Sequence, residues 1–300
     1  MKPFAGVHTP IVTPFTADDR LDEAALRSNV AKWMATPLTG LVVLGSNGEA
    51  PQLEDDEADR VIEIVRAGMP KTRPLIAGTG RESTRGTIAA TRRAAALGAD
   101  AALVRTPSFF KSQMTSEIFV RHYTEVADAS PIPVLLYNVT MYSGVTLQAD
   151  AVERLARHPN IVGMKESGND LILISECVAR TPDNWTVLAG SATTLFHSIC
   201  AGCDGAILAL ASLVPGPCAE VVSLVQANRL AEARALHRSL LPLARSIGGV
   251  HGIPGLKAAL DLAGYTGGHP RPPLRPVAPS VVEAIRAELH ALGVAPAHAS

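Results

Sequence analysis

The sequence predicts a (β/α)8 barrel, an α/β fold, with a C-terminal helical extension. Three observations carry this: eight short apolar runs, a stretch with helical period after each, and a length of 300 residues that suits one large α/β unit. The runs span 6–12, 40–44, 74–77, 101–104, 134–137, 161–164, 186–189 and 205–209. Each is continuous rather than alternating, as expected of parallel strands covered on both faces.

Between the runs, Asp22-Glu23-Ala24-Ala25-Leu26 opens an amphipathic helix. Ser83-Thr84-Arg85 begins another, which carries an Ala-Ala-Leu stripe through residue 97. Past the eighth run the chain continues for about ninety residues with helical composition, interrupted by Gly and Pro at 248–255 and 266–276. That is too long for one closing helix. The expected division is therefore a barrel over 1–212 and a helical region over 213–300 packed on it, with 295–300 frayed.

Composition narrows the role. At 47% hydrophobic and 18% charged residues, the chain can bury a sizeable core and is not of the disordered, highly charged class. Lys plus Arg, 27, against Asp plus Glu, 28, gives a formal charge of −1. There is no net positive field and no basic run, so no nucleic-acid or anionic-membrane partner is expected, and a small-molecule role gains weight. The segment 1–8 lacks the apolar stretch of a secretory signal, and 205–219 is too short for a span and carries Pro215 and Pro217. Cys177, Cys200, Cys203 and Cys218 are too sparse to staple the fold and read as reduced, which fits a cytoplasmic protein.

In such a barrel the chemistry sits where strands end at the C-terminal face. The second run ends in Gly45-Ser46-Asn47-Gly48-Glu49, a tight turn whose N–H groups suit a carboxylate or phosphate. An ordinary turn with Asn47 as an N-cap fits equally well. The fifth run ends in Tyr137-Asn138 and the sixth in Lys165-Glu166-Ser167. Of Lys2, Lys32, Lys71, Lys111, Lys165 and Lys257, only Lys165 terminates a buried strand. There its amine is a candidate nucleophile toward a carbonyl, with an ion pair to Glu166 as the alternative. Tyr137, one strand away, is a candidate proton shuttle or a capped core tyrosine.

Three weaker signals are set aside. Gly78-Thr79-Gly80 has Ser83 where a dinucleotide-binding turn needs its third glycine. Cys200 and Cys203 have metal-ligand spacing without a second pair, so no metal is assigned. Arg105 reads more readily as a solvated or interface arginine than as an anion contact.

Taken in order, Gly45 to Glu49, Tyr137-Asn138-Val139, Gly163-Met164-Lys165-Glu166 and Ala189-Gly190-Ser191 resemble the dihydrodipicolinate synthase and N-acetylneuraminate lyase family of pyruvate-dependent class I aldolases. The similarity runs from about residue 4 to residue 292, and within the family Gly45 to Glu49, Ser130 to Tyr137, His158 to Lys165 and Val187 to Ser191 look most like 4-hydroxy-2-oxoglutarate aldolase. The resemblance implies that Lys165 forms the Schiff base and Tyr137 moves protons. It further implies that Ser46 and Asn47 hold the carboxylate of a 2-oxo acid, with Gly48, Ser167 and Gly190 as further substrate contacts. It implies no cofactor and no metal, an aldehyde as second substrate or product, and a homotetramer built as a dimer of dimers.

Two positions depart from the synthase branch. Phe109 stands where a tyrosine crosses the subunit interface to complete a proton relay, and Tyr142 stands where an arginine binds the semialdehyde carboxylate. A lyase releasing pyruvate is therefore expected. The alternatives are dihydrodipicolinate synthesis, a sugar-acid aldolase or dehydratase, and a 2-oxo-acid-binding protein without turnover.

Overall fold

The structure, a computed structural model, describes residues 2–294. Its eight strands are β1 Gly6–Pro10, β2 Gly40–Val43, β3 Leu75–Gly78, β4 Ala101–Arg105, β5 Val134–Asn138, β6 Ile161–Glu166, β7 Thr186–Ala189 and β8 Gly205–Ile207. They pair in parallel, in sequence order, and β8 returns to β1 to close the predicted barrel. Each strand falls on its predicted run and ends within two residues of it.

The helices are α1 Glu23–Met34, α2 Asp55–Gly68, α3 Thr84–Ala96, α4 Ser116–Ala129, the single turn α5 Thr140–Ser143, α6 Ala149–Leu155, α7 Leu171–Arg180 and α8 Leu195–Cys200. They continue as α9 Pro215–Gln226, α10 Leu230–Arg245, α11 Gly252–Leu262 and α12 Pro279–Ala291. Local chemistry starts several of them. Asp22 accepts from the Ala25 N–H, Ser83 accepts from the Gly86 N–H, and Glu54 and Glu57 cap α2 reciprocally. Such caps contribute about 1 kcal/mol each. The helix α9 lies beyond the expected division at 212, yet it packs on β1 and α8 as part of the barrel's outer ring. The helices α10 to α12 pack against one another, and α10 also reaches the turn Ala192–Thr194 after β7. The expected fraying of 295–300 concerns residues outside those described.

Two cores result. Val42, Ile76, Leu103, Leu135, Leu188 and Ile207 fill the barrel, whereas residues such as Val43, Leu136, Met164 and Val187 face the helices. One irregularity positions the site. Along β5 and β6, Val134 pairs with Ile161, but Leu135 pairs with Gly163, so β6 carries one extra residue there. Ile161 faces the helices, and strict alternation from it would turn residue 165 outward too. The bulge resets the alternation, and Tyr137 and Lys165 become register partners on the inner face. Among the described residues no helix is long and apolar enough to cross a membrane.

Candidate active site

A cavity of about 340 Å³ opens at the C-terminal ends of the strands, the size of a small-molecule site. Its wall includes Ser46 and Asn47 after β2, Tyr137 on β5, Lys165 and Ser167 at the end of β6, and Gly190 after β7. Six of the seven residues singled out in the sequence thus meet in one cavity. Gly48 is the exception. It lies below the turn, where its carbonyl accepts from Thr13 Oγ1 at 2.8 Å, and a Cβ would come within 3.3 Å of the Ile11 carbonyl.

Lys165 is buried, with 5% of its surface exposed, and among the described residues it has no carboxylate partner. Its Nζ donates to the Tyr137 hydroxyl at 3.5 Å and lies 4.5 Å from the centre of that ring. The Tyr137 hydroxyl also shares a hydrogen bond of 3.3 Å with Ser46 Oγ, so three strand ends meet at one phenol. The ion pair with Glu166 does not form, because adjacent residues of a strand face opposite ways. Glu166 sits on the outer face, where the Asn138 amide and the Gly168 N–H each donate to it at 2.5 Å. Burial raises its pKa against those two hydrogen bonds.

The turn after β2 is strained at both edges, since Leu44 and Glu49 both adopt φ of 55°. Within it the Gly48 and Glu49 N–H groups donate to the Gly45 and Ser46 carbonyls, which leaves those of Ser46 and Asn47 as the open donors. Asn47 does not cap a helix with its side chain. On the opposite wall the Ser167 hydroxyl is buried without a hydrogen-bond partner among the described residues. Next to it, a Cβ on Gly190 would fall 2.1 Å from Ser167 Oγ, so only glycine lets β7 approach that residue.

The turn is held from below by the C-terminal region. Lys257 on α11 is 1% exposed and pairs with Glu49 at 2.5 Å, while its Nζ also donates to the carbonyls of Thr13 (2.9 Å) and His269 (2.7 Å). Burial lowers the Lys257 pKa, yet all three of its donors are committed, so it offers no free amine. Glu49 also accepts from the Arg271 N–H at 2.8 Å. Lys257→Met should therefore cost about 3–5 kcal/mol, because it leaves the Glu49 charge buried without its cation. Urea unfolding is the measurement. Adding Glu49→Leu should recover most of the loss, and a cost below about 1 kcal/mol for the single change would show that the pair does not support the turn.

The weaker sequence signals acquire structural roles. Gly78 and Gly80 serve close approach, since Cβ atoms there would meet the Leu44 carbonyl at 2.0 Å and the Arg105 N at 2.7 Å. Cys203 is buried and its thiol is pushed up to about 12 by burial, whereas Cys200 is exposed. Arg105 pairs with Glu82, whose other oxygen accepts from the Ser108 and Phe109 N–H groups. That anchors the loop after β4. Phe109 is 76% exposed and packs edge-on against Phe110 without entering the cavity of its own chain. Tyr142 does line that cavity.

A charged wall residue had no sequence signal. Arg245, the last residue of α10, reaches the cavity together with Ile247 to Val250, which wind as a wide π turn. In the sequence it reads as a basic residue ending a helix, and only the folded chain brings it to the barrel mouth.

A model of the dihydrodipicolinate synthetase family matches residues 3–292. The 4-hydroxy-tetrahydrodipicolinate synthase of Acidiphilium cryptum is 35% identical over 291 residues, spanning 97% of this chain and 99% of that protein. That of Geotalea daltonii is 38% identical over 274 residues, with 91% and 93% covered. Among solved structures, the chloride-inhibited dihydrodipicolinate synthase of Acinetobacter baumannii, complexed with pyruvate, matches with a TM-score of 0.92 and 32% identity over 97% of this chain and 99% of that one.

Proposed function

The chain belongs to the dihydrodipicolinate synthetase family and is a lyase of the class I aldolase type, and from that premise we propose that it cleaves 4-hydroxy-2-oxoglutarate through a Schiff base on Lys165, releasing pyruvate. The observation that carries this is the Lys165 amine, buried in the barrel mouth without a carboxylate partner and 3.5 Å from the Tyr137 hydroxyl. The amine attacks the C2 carbonyl, water leaves, and a protonated imine results. Tyr137, having given its own proton to the departing water, takes the proton of the C4 hydroxyl as the C3–C4 bond breaks. The aldehyde departs, and the electron pair of that bond flows into the imine to give an enamine. Protonation at C3 and hydrolysis release pyruvate and restore the amine.

The remaining wall residues fit that path. The open N–H groups of Ser46 and Asn47 face the substrate carboxylate, and the unpartnered Ser167 hydroxyl supplies a further hydrogen bond. No metal or organic cofactor is required by these steps. The assembly proposed is a homotetramer, a dimer of dimers, in which a second copy covers the exposed Phe109 and Phe110; sedimentation reads its mass. A cytoplasmic location is proposed on the four free thiols.

A second reading, synthesis of 4-hydroxy-tetrahydrodipicolinate from pyruvate and aspartate semialdehyde, is favoured by the names of the relatives. Against it stands Tyr142, which lines the cavity where that branch carries an arginine. A charged hydrogen bond contributes about 1.5–3 kcal/mol, so its loss should weaken semialdehyde use by about ten- to a hundredfold. The test compares kcat/KM for 4-hydroxy-2-oxoglutarate cleavage with that for semialdehyde condensation on one preparation. A higher value for the semialdehyde would reverse the order of the two readings.

A further inference from the structure

We propose that Arg245 sets substrate choice by taking the distal carboxylate of a dicarboxylic 2-oxo acid, an assignment that rests on Lys165 holding the C2 carbon. The charge inventory of the cavity is the first ground. Among the described residues its wall has two cationic side chains, Lys165 and Arg245, and no Asp or Glu. With Lys165 bonded to C2 as a protonated imine, Arg245 is the cation left free to take a second anion.

The second ground is the state of that guanidinium. The other arginines near the strand ends are occupied, Arg105 by Glu82 and Arg81 by Asp55. Arg245 makes no side-chain hydrogen bond or ion pair among the described residues, although it lines the same cavity as Lys165. Its planar fork of donors matches a carboxylate bidentately.

The third ground is access. The π turn that follows places Gly248 and Gly249 on the wall beside Arg245, and a Cβ at either would meet nothing within 4 Å. The wall is thus open at these two glycines, close in the chain to Arg245. The same wall carries Met141 and Tyr142, which bring no charge. A 2-oxo acid whose first carboxylate lies against Ser46 and Asn47 and whose C2 is bonded to Lys165 must direct its far end toward the mouth. Arg245 is the only charged group on the wall that remains to receive it there.

The test reads imine formation and needs no bond cleavage. Borohydride trapping on Lys165 is titrated with 2-oxoglutarate, with 2-oxopentanoate, which has a methyl in place of the far carboxylate, and with pyruvate. The unaltered protein should half-saturate with 2-oxoglutarate at a concentration about ten- to fiftyfold below that for 2-oxopentanoate. Arg245→Gln should erase the preference while leaving pyruvate trapping unchanged, and Arg245→Lys should restore part of it. Absence of a preference in the unaltered protein, or a preference that survives Arg245→Gln, would overturn the assignment of Arg245 and leave the Schiff base standing. Pyruvate trapping lost on Arg245→Gln would mark a structural role and overturn it too. Failure of pyruvate to label Lys165 in the unaltered protein would remove both readings.

Discussion

Lys165→Ala should abolish turnover, by about 10⁴-fold or more, because the electron sink proposed for the breaking C–C bond is an imine on this amine. Borohydride in the presence of pyruvate should add the reduced pyruvyl mass to the peptide that holds residue 165, and the alanine variant should take none. The rival site would be Lys257, the other buried lysine, whose three donors are all bonded. Stability separates the two lysines as well. Lys165 is buried without a countercharge, so its removal should leave the urea midpoint unchanged or raise it, as happens where a functional group is held at a cost to the fold. Lys257→Met should lower the midpoint. Label on Lys257, or turnover retained in Lys165→Ala, would end the Schiff-base assignment at residue 165.

How far the sequence showed this site depends on the kind of information each residue carries. Short continuous apolar runs located all eight strands, because parallel strands buried on both faces leave that imprint whatever the loops do. Lys165 stood out because a lysine that ends such a run has no structural need to be there. Which way it faces was not legible. The extra residue in β6 that turns it inward is a property of the pairing with β5, and pairing register is set between strands. Ser46, Tyr137 and Ser167 were legible as strand-end residues, since the barrel gathers all strand ends at one face, whereas Gly190 was marked only by the family resemblance. Arg245 was not, because it comes from α10, beyond the barrel, and its approach to the mouth depends on how that helix packs on the turn Ala192–Thr194. Glu49 was visible only as part of a motif. Its pairing with Lys257 spans 208 positions of chain, and it shows that the C-terminal region supports the turn the substrate is proposed to meet.

Tyr137→Phe should reduce turnover by about 10²- to 10⁴-fold while leaving the proposed imine formation on Lys165 largely intact. The phenol hydroxyl stands between Ser46 Oγ at 3.3 Å and Lys165 Nζ at 3.5 Å, next to the amine proposed to form the imine. Removing it leaves the nucleophile in place, so pyruvate trapping should persist at comparable concentration and the loss should appear in kcat. Phe109 provides the contrast. Its ring is 76% exposed in the single chain, it lines no part of the Lys165 cavity, and it has no hydroxyl to add to a relay from a neighbouring copy. An active enzyme therefore moves the proton from Tyr137 through Ser46 or water, and Phe109→Tyr should change turnover by less than about tenfold in either direction. Ser46→Ala should fall between the two changes, since it removes one link next to the phenol. A hundredfold gain from Phe109→Tyr would show that proton transfer in the native chain stops at Tyr137 for want of that hydroxyl. Loss of imine trapping in Tyr137→Phe, in step with turnover, would place Tyr137 in amine activation instead of bond cleavage.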